Sequence, residues 1–265
     1  MASFVRFAGA ALGGIGFWQG FVHFLRDAHE QGVKLRELKD MEGNLIKTTY
    51  FSGSTNESIS EELQTGDLVL FSRPCSMMRP CGSVACLGTK LTATASQIMP
   101  YDHCAVVILK RDGTPQLMEQ TWSKGAQLRP YDLRIVRSLA ETIVVRPLHF
   151  RRTKSMQRRA GEFVEGRLAE GDTGGEASSL QRFHHMLDRY RSGEFVSRDK
   201  GISDAIPINP SATLVARFYQ DVLKILPTES SPGYRPAEDF LPADLLSCRF
   251  RQGATRLQEV NVRNR

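Results

Sequence analysis

Apolar runs separated by turn residues predict several short strands. "TGDLVLF" (65–71) is a turn followed by an apolar strand, and "HCAVVIL" (103–109) is a second apolar run that stops at the turn "KRDGTP". "QLME" (116–119) begins a third strand, and "ETIVVRPL" (141–148) predicts another. Strands this close together along the chain are typical of an antiparallel sheet.

Two segments have helical periodicity instead. "SMQRRAGEFVEGRL" (155–168) is amphipathic, and "SATLVARFYQDVLKIL" (211–226) brings its large apolar residues to one side. The segment "AEGDTGGEASS" between them predicts a flexible insert, and no internal repeat is visible. The predicted fold class is therefore α+β, a small, mostly antiparallel sheet flanked by helices.

The N-terminal segment "FVRFAGAALGGIGFWQGFVHFLR" contains no acidic residue. Residues 7–25 would span roughly 28 Å as a helix, about the thickness of a bilayer core. Gly9, Gly13, Gly16 and Gly20 share one helical face, a pattern that lets another helix pack closely in lipid. The segment predicts a transmembrane helix, with a buried soluble helix and a targeting segment as the alternatives.

These patterns divide the chain into four parts. We expect a membrane-anchor helix and its extension over residues 1–40, and a linker with the polar stretch "SGSTNES" over 41–60. A globular domain should follow over 61–246, and the arginine-rich residues 247–265 should form a basic C-terminal tail.

Composition and charge narrow the function only slightly. The 265 residues are 41% hydrophobic and 24% charged, as in ordinary globular proteins, and the net charge is +6. That excess fits nucleic acid, anionic lipid or a mitochondrial membrane and selects none of them. The cysteines are odd in number and the N-terminus does not resemble a secretory one, which argues against a disulfide framework. Cys75, Cys81 and Cys86 lack the CxxC spacing of zinc sites, so we predict no metal and no cofactor.

The neighbours His103 and Cys104 are candidates for chemistry, but strand geometry separates them. Side chains alternate between the faces of a strand, so His103 shares a face with Ala105 and Val107, while Cys104 points to the other face. The thiol therefore cannot be the partner of His103 and is most simply a small core residue.

The order of the pieces carries a resemblance. Four segments follow one another in the order "LQTGDLVLFS", "YDHCAVVIL", "QLMEQTWSKGAQLRPYDLRI" and "TIVVRPL". This order resembles that of the circularly permuted NlpC/P60 hydrolases, papain-like proteins whose catalytic histidine precedes the cysteine. The resemblance covers roughly residues 60 to 245. It implies that His103 is the histidine, that Glu119 orients its ring, and that the nucleophile opens a later helix, where a thiolate would attack a carbonyl.

At the nucleophile position the sequence departs from this family. "NPSATLV" matches the helix opening at Leu214 and Val215, but Ser211 stands where the family has cysteine, and Ala212 follows it. A hydroxyl has a far higher pKa than a thiol, and a serine after Pro210 is also an ordinary helix N-cap. Cys248 lies outside the helix opening. We therefore interpret His103, Glu119 and Ser211 as vestigial catalytic positions.

The resemblance also makes a geometric prediction. His103, Glu119 and Ser211 should converge in space, with Cys104 facing away from them. A serine on the opposite side of the sheet from His103 would count against the family assignment itself.

The sequence as a whole predicts a non-catalytic, membrane-anchored accessory subunit of a large complex, with the mitochondrial inner membrane as its location. Its partners would be the bilayer and other subunits, contacted through the glycine face and the basic tail. One alternative is an active amide or ester hydrolase that uses His103, Glu119 and Ser211. The other is an RNA-associated assembly factor, suggested by "RRTKSMQRR" (151–159) and the tail, but no aromatic-rich RNA motif accompanies them, so nucleic acid is not the favoured partner.

Overall fold

The structure is a computed structural model that describes residues 21, 55–78, 83, 86–87, 89–90, 101–121, 125–169, 209–247, 250, 255–256 and 260–264. The glycine face of Gly9, Gly13, Gly16 and Gly20 lies outside these residues, and so does the glycine-rich insert. Within the described part of the chain, no helix has both the length and the apolar character that crossing a bilayer requires.

The described residues form an antiparallel sheet with helices packed against it, as the sequence predicted. The strands are β1 (Leu68–Ser72), β2 (His103–Leu109), β3 (Pro115–Thr121), β4 (Gly125–Pro130), β5 (Thr142–Arg146), β6 (Leu148–His149), β7 (Thr255–Arg256) and β8 (Val260–Asn264). The helices are α1 (Thr55–Glu62), α2 (Tyr131–Val136), α3 (Lys154–Ala169), α4 (Pro210–Arg217) and α5 (Asp244–Ser247). A π-helical turn, Phe218–Val222, continues α4, and Cys75–Met77 and Ala237–Asp239 are 3₁₀ turns.

Six strands pair in the order β4-β3-β2-β1-β5-β8, and every pairing is antiparallel. The strands β6 and β7 form a separate pair. The residues assigned to a basic tail thus include β8, an edge strand of the main sheet paired with β5. Sequence reasoning missed β8 because its alternation, Val260-Asn261-Val262-Arg263, contains only two apolar residues within an arginine-rich segment.

The two faces of the sheet bury different clusters. On the first face, α4 packs against β2 and β3, and α3 packs against the π turn and β4. The core there includes Leu70, Cys104, Met118, Leu214 and Phe218. On the second face, α1 and α2 cover Phe71, Ala105, Val107 and Leu117. Cys104 and Ala105 therefore belong to opposite cores, as strand alternation predicted.

The turn before β1 explains the "GD" of the sequence. Gly66 has φ of +101°, a conformation that favours glycine, and a Cβ there would come within 3.0 Å of Leu223. The buried Asp67 carboxylate accepts hydrogen bonds from the amides of Gln64 (2.8 Å) and Leu148 (3.0 Å) and from Arg152 (3.0 Å). Both residues of this motif therefore serve the fold.

Cys75 and Cys86 form a disulfide, so the expectation that the cysteines would remain unpaired was wrong. Their Cα atoms lie 5.5 Å apart although they are 11 positions apart in the sequence. Spacing alone cannot reveal such a pair, because the bond depends on how the chain folds back. Because both sulfurs are in the disulfide, neither can bind a metal ion as a thiolate.

Candidate functional site

The predicted pairing of His103 with Glu119 is present at the second face of the sheet. The imidazole Nε2 of His103, the first residue of β2, lies 2.7 Å from Oε2 of Glu119 on the neighbouring β3. Both side chains are buried: His103 is 3% exposed and Glu119 0% exposed. The pair is thus formed, but it has almost no contact with solvent.

Two arginines close around the same carboxylate. The Nε atom of Arg134, on α2, donates to both oxygens of Glu119 at 2.8 and 3.0 Å. The Nε atom of Arg129, on β4, lies 3.4 Å from Oε1. The Arg134 guanidinium also stacks on the Phe71 ring, 4.6 Å from its centroid, and the same ring lies 5.6 Å from the His103 ring. Arg134 therefore covers the histidine–carboxylate pair from the helix side.

The protonation of the pair follows from these contacts. Burial alone would raise the pKa of Glu119, but the positive charge of Arg134 and the hydrogen bond from His103 bring it well below its usual range. Burial, followed by the positive charge of Arg73, lowers the pKa of His103. The carboxylate can only accept, so Nε2 of a neutral ring carries the proton and Nδ1 is left unprotonated.

The start of β2 is held by a second ion pair. The Asp102 carboxylate accepts from the main-chain amide and the Nε atom of Arg73, both at 2.7 Å. Lys90 donates to the Arg73 carbonyl at 2.6 Å and to the Ser72 hydroxyl at 3.2 Å. Together these bonds tie the end of β1 to the residues that precede His103.

Ser211 lies elsewhere, at the joint between α4 and β2. Its Oγ donates to Oδ1 of Asn209 at 2.7 Å and accepts from the main-chain amide of Cys104 at 3.1 Å. The Cys104 thiol lies 3.6 Å from the same oxygen. Asn209 completes the joint, because its side-chain amide donates to the Asp102 carbonyl at 3.1 Å.

The predicted helix cap was one step off. Asn209, with φ of −138° and ψ of 107°, is the N-cap of α4, and its Oδ1 accepts from the Ala212 amide at 3.1 Å. Pro210 occupies the first helical position, where its missing N–H costs nothing. Ser211 follows inside the first turn, so the prediction that Ser211 is the cap was wrong.

The predicted convergence of the three site residues does not occur as expected. His103 and Glu119 meet, but Ser211 contacts Cys104, whose side chain leaves β2 on the opposite side from that of His103. The expectation that Cys104 would face away from Ser211 was therefore also wrong. Each half of the supposed site belongs to a different core.

The chemistry open to these groups is limited by burial. Burial raises the pKa of the Cys104 thiol to about 12, far from a thiolate at neutral pH. Ser211 is 1% exposed, and the acceptor of its proton is a neutral amide oxygen that cannot serve as a base. A cleft of about 720 Å³ is present near Thr65, Leu109 and Arg152, at the end of β2 away from His103.

Sequence reasoning missed Arg134 and Asn209, the two residues that decide how the site is closed. Asn209 carried a usable signal, because asparagine before proline at the start of a helical run is a common cap. Arg134 carried none, because its contact with Glu119 depends on how α2 packs against the sheet. No family model matches this sequence. A search of the curated proteins also found no match.

Proposed function

We propose that this chain is a non-catalytic accessory subunit of a membrane complex, in which the positions that resemble a hydrolase active site stabilise the fold. The observation that carries the proposal is the bonding of the Ser211 hydroxyl, which donates its hydrogen bond to Asn209 and accepts one from the Cys104 amide. A serine nucleophile needs a base within hydrogen-bond reach. The nearest acceptor to this hydroxyl is an amide oxygen, and the imidazole serves Glu119 on the other face.

The enclosure of His103 supports the same proposal. A catalytic histidine must exchange protons with a substrate, whereas this ring is buried behind Phe71 and the guanidinium of Arg134. The negative charge that would stabilise an imidazolium is already shared with Arg134 and Arg129. An ion cluster of this kind fits a rigid core better than a reaction cycle.

Descent from a permuted NlpC/P60-like domain is part of the proposal, and two observations bear on it in opposite directions. The order of the strands, with "GDLVLF" beside "DHCAVVIL" in one antiparallel sheet, supports it. The hydrogen bonds of Ser211 to Asn209 and Cys104, instead of to His103, count against it. The non-catalytic role does not depend on this relationship, because it follows from the contacts of the residues themselves.

Membrane attachment, at the mitochondrial inner membrane, is proposed from the apolar N-terminal segment with its glycine face. The Cys75–Cys86 disulfide supports an oxidising compartment for the globular domain, since disulfides rarely persist in reducing ones. Carbonate extraction should leave the full chain in the membrane pellet, and deletion of residues 1–26 should release it. Release of the full chain by carbonate would show that the anchor is wrong.

Covalent probes test whether the site is catalytic. A fluorophosphonate should leave Ser211 unlabelled in the folded protein, because the hydroxyl bonds to the neutral amide oxygen of Asn209. Ser211→Cys should not gain iodoacetamide labelling that depends on His103, because the imidazole bonds to Glu119 instead. Ser211→Ala is the matched control for background labelling. Labelling of wild-type Ser211 that disappears in His103→Ala would overturn the proposal and establish a hydrolase.

A further inference from the structure

Among the residues that the structure describes, no further strand pairs with the outer edge of β4. β4 pairs with β3 over six consecutive positions, from Thr121↔Gly125 to Gln116↔Pro130, without a bulge. Among the described residues, no main-chain group bonds to its other side. A regular edge of this length is a template for another strand, and proteins usually block such edges or use them.

The main-chain groups on that edge can be assigned by counting outward from β1. Val107 exchanges bonds with Gly66 and Asp67 on the β1 side, so the main-chain groups of Val106 face β3. Val106 pairs with Met118, so the N–H and C=O groups of Met118 face β2. Met118 also lies opposite Leu128, and its groups face away from β4, so those of Leu128 point away from β3. The amides of Ala126 and Leu128 therefore point outward, whereas that of Gln127 points inward.

Charge at this edge is unbalanced. Gln127 pairs with Glu119 in the β3–β4 register, so Gln127 and Arg129 share the face that carries Glu119. Two guanidinium groups, those of Arg129 and Arg134, meet this single carboxylate. The side chain of Arg129 is 39% exposed, so one positive charge remains accessible beside the open edge.

We propose that the β4 edge receives an extended segment of a partner polypeptide that carries an acidic residue opposite Arg129. The inference rests on the proposed role as an accessory subunit and names the surface and the partner chemistry for it. Strand addition would supply main-chain hydrogen bonds through Ala126 and Leu128. A carboxylate across from Arg129 would form the kind of opposite-charge cross-strand pair that stabilises sheets.

A second copy of this chain is a poorer occupant than an acidic segment. β4, with the sequence "GAQLRP", contains no acidic residue, so pairing β4 with itself would leave the arginine charges unmatched. At the other edge of the sheet, the pairing of β5 with the edge strand β8 has a register shift between Ile143 and Val144. Such irregularities disfavour strand addition, and β4 has no bulge. Its outward Pro130 has no N–H, so Ala126 and Leu128 are its outward donors.

The test compares two substitutions at one position in the full chain. Ala126→Pro removes an outward amide without touching the bonds to β3, whereas Ala126→Val keeps that amide and adds similar bulk. After mild detergent extraction, the wild type and Ala126→Val should migrate in a large assembly on a native gel. Ala126→Pro should lose at least about 90% of that band, roughly the tenfold weakening expected of about 1.4 kcal/mol.

Hydrogen exchange supplies a second readout that needs no variant. In the wild-type assembly, the amides of Ala126 and Leu128 should exchange at least about tenfold more slowly than in the isolated full-length chain. The amide of Gln127, bonded to β3 in both states, is the internal control. Arg129→Gln should weaken assembly less than Ala126→Pro, because it removes the charge match and keeps the main-chain bonds.

The outcomes separate this inference from the proposed function. A wild-type chain that migrates alone would overturn both. A wild-type assembly in which Ala126→Pro still joins fully, or in which both outward amides exchange as fast as in the isolated chain, would overturn only the docking edge. A band at twice the mass of the chain, with both amides protected, would show pairing with a second copy and also overturn it.

Discussion

The two faces of the sheet bury polar groups in different ways. On the second face, His103, Glu119, Arg134 and Arg129 form a cluster of charged and ionisable groups around one carboxylate. On the first face, Asn209 and Ser211 use neutral hydrogen bonds to attach the start of α4 to β2. Each residue that resembles part of a catalytic site thus has a complete structural role on its own face.

This difference teaches that a matching set of residue types does not make a site. His103 and Cys104 are neighbours in sequence, yet the alternation of β2 assigns them to separate cores, and Ser211 docks against the cysteine. The charged cluster and the neutral joint also have different energetics. Removing one member of a buried ion cluster is costly, whereas removing a neutral hydrogen bond costs less.

Loss of the shared carboxylate should have the largest effect. Glu119→Ala leaves Arg134 and Arg129 beside a buried cavity without their counter-charge, and we expect the free energy of unfolding to fall by about 3–5 kcal/mol. Urea denaturation measures the change. Glu141→Ala, at an exposed carboxylate, is the control and should stay within about 0.5 kcal/mol of the wild type. A loss below about 1 kcal/mol for Glu119→Ala would mean that the cluster does not stabilise the second face.

Removal of the hydroxyl at the joint should have a smaller effect. Ser211→Ala leaves the buried Cys104 amide without its acceptor, which should cost about 1–3 kcal/mol in the same urea experiment. Ser76→Ala, at an exposed serine, should change stability little. If Ser211→Ala proved as harmless as this control, the hydroxyl would not be holding α4 to β2, and its structural role would be lost.

Mild acid should weaken the second face selectively. The pKa of His103 is lowered from 6.5 in the fold, so in mild acid the unfolded chain takes up a proton that the folded chain resists. Stability therefore falls as the pH drops from 7.5 through 6.5 towards the lowered pKa. Urea midpoints at pH 7.5 and 5.5 should show this loss in the wild type, and a smaller loss in His103→Gln, whose side chain does not titrate. Equal pH dependence in the two proteins would mean that His103 is not held neutral.

The sequence predicted the fold class, the strands β1, β2, β3 and β5, and the helix α3, because each has a strong apolar pattern or a clear turn. The resemblance also implied the contact between His103 and Glu119, which the structure contains. It could not predict that Arg134 covers this pair or that Cys75 bonds to Cys86, because both contacts depend on how distant segments pack. The prediction that Ser211 would converge with His103 was wrong for a related reason. The resemblance supplied the helix but not the face on which its first turn docks.

A double-mutant cycle of His103→Ala and Ser211→Ala tests whether the polar networks on the two faces of the sheet are independent. The Ser211 hydroxyl bonds to the peptide nitrogen that follows His103, but the His103 and Ser211 side chains have no common side-chain partner. Their effects on the free energy of unfolding should then add, with a coupling energy below about 0.5 kcal/mol. A coupling energy of about 1 kcal/mol or more would put His103 and Ser211 in one network and contradict the separation of the two faces.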